Sequence, residues 1–105
     1  VTAGARLTVL GRCAPFPGTG GQCPGYLLES GETRVLIDCG PGTLGRLAAR
    51  LKPRPGPTSE SPFAGLEAVV ISHLHADHFS EVLSLRYAIA ADIRDGFRRG
   101  LLPVH

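Results

Sequence analysis

Three of the four histidines in the chain fall within six consecutive residues, His73-Leu74-His75-Ala76-Asp77-His78. Imidazole nitrogens together with a carboxylate form a donor set that suits zinc, and also iron or manganese. His73 and His75 are two residues apart, which in an extended stretch puts both rings on one side of the backbone. Asp77 and His78 follow at once, in a turn that has to lead into the next element. A lone histidine near a strand end is ordinarily a partly buried polar residue making local hydrogen bonds. Three packed together without a metal would repel one another on protonation and leave ring nitrogens unpaired. Asp77 and His78, being adjacent, are hard to place on a single tetrahedral ion with His73 and His75. The residue types alone therefore indicate a metal site and leave open whether it holds one ion or two. His105, the remaining histidine, sits in no recognisable motif and is assigned no metal.

The elements that must position these residues follow from pattern. Residues 6–10 (RLTVL) read as a short strand. A long segment rich in Gly, Pro and Cys, residues 13–25, then excludes helix or central strand, and loops of that length are usually functional. Residues 26–29 and 33–37 read as two further strands, antiparallel through a tight turn at Ser30-Gly31-Glu32. After Asp38-Cys39-Gly40-Pro41-Gly42, Thr43 is placed to cap a helix over residues 43–52. Its stripe is Leu44, Leu47, Ala48 and Leu51, and Pro53 stops it. Residues 52–62 carry four of the nine prolines and read as an exposed linker. Residues 66–71 (LEAVVI) form a strand whose continuous apolar run predicts burial between layers. Residues 72–78 are the loop that leaves it, at the strand end where active sites sit in α/β architectures. Val82, Leu85, Ile89 and Ile93 recur at helical spacing and predict a helix over 80–94, ended by Gly96. Residues 101–105 read as the lead-in to another strand. The order β-β-β-α-β-α-(β) predicts an α/β fold, a mixed sheet covered by helices, with no obvious partner for the other sheet face.

Composition narrows the function classes. The 105 residues are 43% apolar, enough for a core. Eleven basic against nine acidic residues give a net charge of +2, too weak a field to argue for nucleic-acid steering, and DNA is not expected as a partner. Arg86, Arg94, Arg98 and Arg99 read as a solvated helix face and its exit. Cys13, Cys23 and Cys39 are odd in number and form no CxxC pair, which excludes a zinc ribbon and a disulfide framework. They are read as reduced thiols, none of them a nucleophile, with Cys39 beside the histidine cluster and the other two in the Gly-Pro loop. No secretory leader and no membrane-spanning apolar run is visible. The expectation is a cytoplasmic protein without a membrane partner, and a homodimer is left open.

The run His73, His75, Asp77, His78 after an apolar strand resembles the His-x-His-x-Asp-His signature of the metallo-β-lactamase superfamily. The initial strand RLTVLG, the pair YLLESGETRVLID, and Asp38-Cys39-Gly40 before a helix agree with it. Within the superfamily, the Gly-Pro loop (residues 15–25), LLESG, LIDCGPGTLGRL and SHLHADHFSEVLSLRYAI resemble the branch of transfer-RNA 3′-processing endonucleases (ribonuclease Z) and cyclic-nucleotide phosphodiesterases. The resemblance covers nearly the whole chain but only about the first half of the family domain. It implies that residues 1–105 are the N-terminal half of one αββα sandwich whose remainder lies outside this sequence. It also implies two zinc ions, with Mn2+ or Fe2+ as other occupants. His73 and His75 would serve one ion, and Asp77 and His78 the other. The remaining ligands and the acid for the leaving group would come from the missing half. Asp38 aligns with an aspartate near the site and would hold a ligand or shape the loop. Its local alternative is an end-of-strand Asx turn. Asp77 would be the catalytic carboxylate, orienting the attacking water or receiving its proton.

The function so implied is a metal-dependent hydrolase. The favoured form is a phosphodiesterase that directs a dizinc-activated hydroxide at a cyclic nucleotide or an RNA end. No protruding RNA-binding arm or positive surface is visible, which favours a small phosphodiester. Two alternatives stand beside it: a hydrolase of another ester, thioester or lactone, since one metal pair serves many substrates, and an inactive truncated homologue acting as a structural or interaction subunit.

Overall fold

The computed structural model describes residues 4–51 and 60–105. The expected linker over residues 52–62 therefore lies, up to residue 59, outside the described residues, as does the stop at Pro53. Seven elements follow in order. Strands β1 (Ala5–Gly11), β2 (Gly25–Ser30) and β3 (Thr33–Cys39) are followed by helix α1 (Thr43–Arg50). Strand β4 (Ala68–Val70), a one-turn helix α2 (Ala76–Phe79) and helix α3 (Val82–Arg94) complete the set. The sheet order is β1-β2-β3-β4. β2 is antiparallel to both neighbours, whereas β4 runs parallel to β3. A parallel neighbour needs a crossover connection, and α1 lies within it. This is the mixed, helix-covered sheet that the order of apolar patterns predicts.

Period-two alternation divides the sheet into two unlike faces. On one face Leu27 pairs with Leu36, and Leu36 with Val69. All three are fully buried in a core that also takes Leu47 from α1 and Leu85 and Ile89 from α3. On the other face run Leu7, Leu28 and Val35, then Val9, Tyr26, Ile37 and Val70. Here Leu7 is 58% exposed, Val9 57% and Val70 39%. Burial of β4 between two layers was expected from its apolar run, but only Val69 is enclosed. Val70 faces away from the helices, and among the described residues nothing covers that side. The strand is also shorter than residues 66–71. Glu67 N–H still bonds β3, at Arg34 O (2.8 Å), but out of the Val35–Ala68 register, and Leu66 N–H closes a turn onto Phe63 O at 3.0 Å.

Residues 101–105, read as the lead-in to a strand, lie alongside β4 without forming one. Val104 forms a parallel bridge with Val69, and Val69 N–H and Ile71 N–H donate to Pro103 O and His105 O at 2.9 and 2.8 Å. The arginines divide. Arg94 pairs in solvent with Asp95. Half-buried Arg98 is no part of a solvated face: its guanidinium donates to the carbonyls of Ala64, Leu66, Gly100 and Leu101. It thereby ties the exit of α3 to the segment entering β4. No helix among the described residues is long and apolar enough to cross a membrane.

Two local expectations need correction. Thr43 does not cap α1. It is wholly buried, and its hydroxyl is turned to Cys23 O and Pro24 O at 3.5 and 3.4 Å. The N-cap position falls on Gly42, in the left-handed region at φ 88° and with no side chain to offer. Residues 72–78 are likewise not all loop. Backbone bonds from His78 N–H to His75 O (2.9 Å) and Ser80 N–H to Ala76 O (3.1 Å) wind residues 76–79 into one helical turn.

Candidate metal centre

The four motif residues converge at the end of β4, beside the end of β3. His73 and His75 follow β4 in irregular backbone with their rings edge to face, centroids 4.6 Å apart. The turn α2 then folds back, so the His78 ring lies 4.0 Å from that of His73. Asp77 is buried to 9% exposure in the first turn of α2. The carboxylate Oδ2 of Asp77 lies 3.2 Å from His78 Nε2. Sequence spacing thus places His73, His75, Asp77 and His78 together, as the structure also does.

Asp38 organises this cluster from below. It closes β3 at a positive φ of 57°, a conformation that Asp and Asn tolerate better than most residues. Buried to 4% exposure, it accepts from Ser72 N–H at 2.7 Å and from the Ser72 hydroxyl at 2.8 Å. It also accepts from His78 Nδ1 at 2.7 Å. These are bonds across the chain, between the ends of two adjacent strands, so the Asx-turn alternative does not describe this residue. Burial alone would raise its carboxyl pKa. The bonds from His78 and Ser72 outweigh that, and the group is held below its ordinary value.

The bonds fix how the rings present themselves. A carboxylate against Nδ1 of His78 favours a proton there, which in the neutral ring leaves Nε2 with a lone pair. Ser72 spends its hydroxyl proton on Asp38, so its oxygen accepts from His73 Nδ1 at 3.1 Å. Both rings thus turn Nδ1 inward, toward Asp38 and Ser72, and Nε2 outward. The Nε2 of His78 then faces the Asp77 carboxylate. In the neutral ring two acceptors then oppose each other at 3.2 Å; a proton on Nε2 or a metal ion between the two relieves the repulsion, so these donors fit a metal ion. Among the described residues, however, no group of three or more His, Cys, Asp or Glu side chains is already arranged to hold one. Two donors per ion, with more supplied from elsewhere, accords with both observations.

Three contributors escape a reading by pattern. Ser72 is an unremarkable residue before the first histidine, and only its bonds to Asp38 reveal its part. Gly40 lies where a Cβ would overlap the carbonyl oxygen of Asp77, so the turn after β3 can press on α2 only if this residue is glycine. Glu81 reaches back from the start of α3 to α1. Its carboxylate accepts from Gly42 N–H at 2.9 Å and Leu44 N–H at 2.8 Å.

The three cysteines are free. Cys23 and Cys39 are fully buried, while Cys13 is half-buried in the Gly-Pro loop. Burial, with Glu81 and Asp38 adding to it, pushes the Cys39 thiol up to about 12. At neutral pH very little of it is thiolate, the reactive form. A thiol reagent applied to the folded protein is therefore expected to modify Cys13 first and to spare Cys39 until unfolding. Peptide mass spectrometry reads this directly, and rapid labelling of Cys39 would contradict its assignment as an inert packing residue.

The profile of the β-lactamase superfamily domain matches residues 33–100. The probable metallo-hydrolase YhfI of Bacillus subtilis is 34% identical over 100 residues, covering 95% of this chain and 37% of that protein. Its crystal structure superposes with a TM-score of 0.81 at 30% identity, over the same shares of the two chains. Ribonuclease Z of Mycobacterium bovis is 38% identical over 76 residues, 72% of this chain and 24% of the enzyme. The long form of RNase Z from yeast shares the fold, with a TM-score of 0.72 at 21% identity over 95% of this chain and 14% of that one. The chain thus spans well under half the length of each of these relatives.

Proposed function

The chain belongs to the β-lactamase superfamily, and on that premise we propose that it supplies one half of the active site of a metal-dependent hydrolase. The observation that carries this reading is the pair of histidines turned by Asp38 and Ser72, with His78 Nε2 opposed to the Asp77 carboxylate at 3.2 Å. His73 and His75 would hold one ion of the zinc class, and Asp77 and His78 a second. Such ions supply Lewis acidity that makes a water molecule nucleophilic near neutral pH. The residues of the chain do the rest of what this half can do. Asp38 fixes the tautomer of His78. Ser72 passes the same orientation to His73. Asp77, shielded from bulk water, holds the attacking water and takes its proton. The remaining donors and the acid for the leaving group belong to the other half of the domain, of which residues 1–105 are the N-terminal part. The open apolar sheet face, with Leu7, Val9 and Val70 exposed, is the surface a second sheet would cover. By itself the 105-residue chain is expected to show no turnover and to act as a structural half.

The narrower substrate reading is a phosphodiester, a cyclic nucleotide or an RNA end, supported by the likeness to ribonuclease Z. A hydrolase of another ester, thioester or lactone stands beside it, because the likeness to YhfI is to a probable metallo-hydrolase and one fold serves many substrates. Zinc-loaded protein that includes the complementary half separates the readings. It is expected to hydrolyse bis(p-nitrophenyl) phosphate and to lose that activity to a chelator. Turnover of only carboxylic esters, thioesters or lactones would move the assignment to the second reading. Bound metal without turnover of any of them would leave the chain an interaction subunit.

A further inference from the structure

We propose that Glu81 is a positioning residue that fastens the turn carrying Asp77 and His78 onto the turn carrying Asp38. Its carboxylate takes two amides at the start of α1, Gly42 N–H on Oε2 at 2.9 Å and Leu44 N–H on Oε1 at 2.8 Å. Its own N–H donates to Cys39 O at 3.0 Å. Nothing local does this work for α1. Gly42 has no side chain, Thr43 is turned to Cys23 and Pro24, and the first turn holds no acidic residue. The amides at a helix start need acceptors, and a carboxylate there also meets the positive end of the helix dipole.

The location gives the contact a consequence beyond capping. Glu81 stands three residues after His78, and its three partners, Cys39, Gly42 and Leu44, bracket Gly40. At Gly40 the same two turns meet again, backbone against backbone, with Asp77 O where a Cβ would be. The Glu81 bonds on one side of His78 and this close backbone packing on the other leave little freedom to slide α2 along the turn after β3. The His78 Nδ1 to Asp38 bond of 2.7 Å spans those same two turns, and a hydrogen bond is lost with a shift of about 1 Å. Glu81 thus holds His78 against Asp38 through the backbone, without touching either side chain. The bearing of this on metal binding rests on the proposed function, whereas the positional claim concerns only residues within this chain.

NMR of the metal-free protein with Glu81→Ala and Glu81→Gln tests it. Glutamine keeps the length but offers one acceptor oxygen where two amides need one each, and it serves if the alanine variant fails to fold. Amide exchange at Gly42 and Leu44 is expected to quicken roughly tenfold or more in the alanine variant, and less in the glutamine variant. Alongside it, the ring nitrogen resonances of His78 are expected to shift as the bond to Asp38 lengthens, while the β1–β2 amides stay in place. Faster exchange with an unmoved His78 would reduce Glu81 to an ordinary cap and overturn the proposal, as would unchanged exchange. Zinc titration of the same samples separates the two levels. An unmodified protein whose His78 ignores zinc would count against the hydrolase reading. The response of His78 to the Glu81 substitutions would still decide the positioning role.

Discussion

Asp77→Asn is expected to lower the hydrolytic step by roughly 10²-fold or more in the complete, metal-loaded domain, as removal of a positioned base usually does. The substitution keeps size and one oxygen but removes the negative charge. In the structure Asp77 is almost fully buried, with Oδ2 directed at Nε2 of His78. An amide there cannot offset the charge of a cation shared with that ring, so the ion served by Asp77 and His78 should weaken. The ion served by His73 and His75 should stay largely bound. A merely structural Asp77 would behave differently, lowering thermal stability and leaving turnover of the remaining folded protein intact. Metal per chain and phosphodiester hydrolysis, measured together, separate the cases. Full activity with normal metal content would remove Asp77 from the chemistry.

Asp38 carries the second large effect, and its two obvious replacements should part company. Asp38→Ala strands Ser72 N–H, the Ser72 hydroxyl and His78 Nδ1–H in a nearly closed site. The charged acceptor they lose contributes about 1.5–3 kcal/mol per bond, offset by relief of its burial, so a net loss of about 2–4 kcal/mol is expected. For a chain of this size that lowers Tm by roughly 10–20 °C. Asp38→Asn is milder in stability, because asparagine tolerates the positive φ and keeps one acceptor. Its amide N–H2 can only donate to His78 Nδ1, which moves the ring proton to Nε2 and removes the lone pair a metal needs. Near-normal Tm with lost zinc response at His78 is therefore the signature of Asp38→Asn. The sign of the pH dependence follows from the lowered carboxyl of Asp38. In metal-free protein its stabilisation is complete above the ordinary carboxylate range and is lost as pH falls through the depressed value. The alanine variant should lack that part of the acid transition. Identical melting and identical zinc response in both variants would contradict the orienting role.

How far the sequence discloses this site depends on the range of each interaction. The β2–β3 hairpin is legible because alternation and a turn glycine act within a dozen residues, and Gly31 does take a positive φ. Helix α3 is legible from its stripe, and Leu85 and Ile89 are buried as that stripe requires. The histidine cluster is legible because its members are close in sequence as well as in space. Ser72, Gly40 and Glu81 are not, since each acts on a partner 34 to 39 residues away, and no periodicity records such a pairing. Thr43 misleads for the same reason: its type and position suit a cap, but a buried carbonyl pair claims its hydroxyl while a distant glutamate takes the amides. The apolar run of β4 overstates burial because hydrophobicity records what a face is suited to meet. Val70 is suited to a second layer, and among the described residues none lies over it.

In the proposed site His73, His75, Asp77 and His78 form half of a metal centre whose other donors lie elsewhere. Zinc titration of the 105-residue chain, followed by the ring resonances of its four histidines, tests it most directly. The expected result is weak, saturable binding, roughly micromolar or weaker for two side chains per ion, that moves His73, His75 and His78 and leaves His105 unchanged. Rings untouched by zinc, or tight stoichiometric binding by the chain alone, would contradict it.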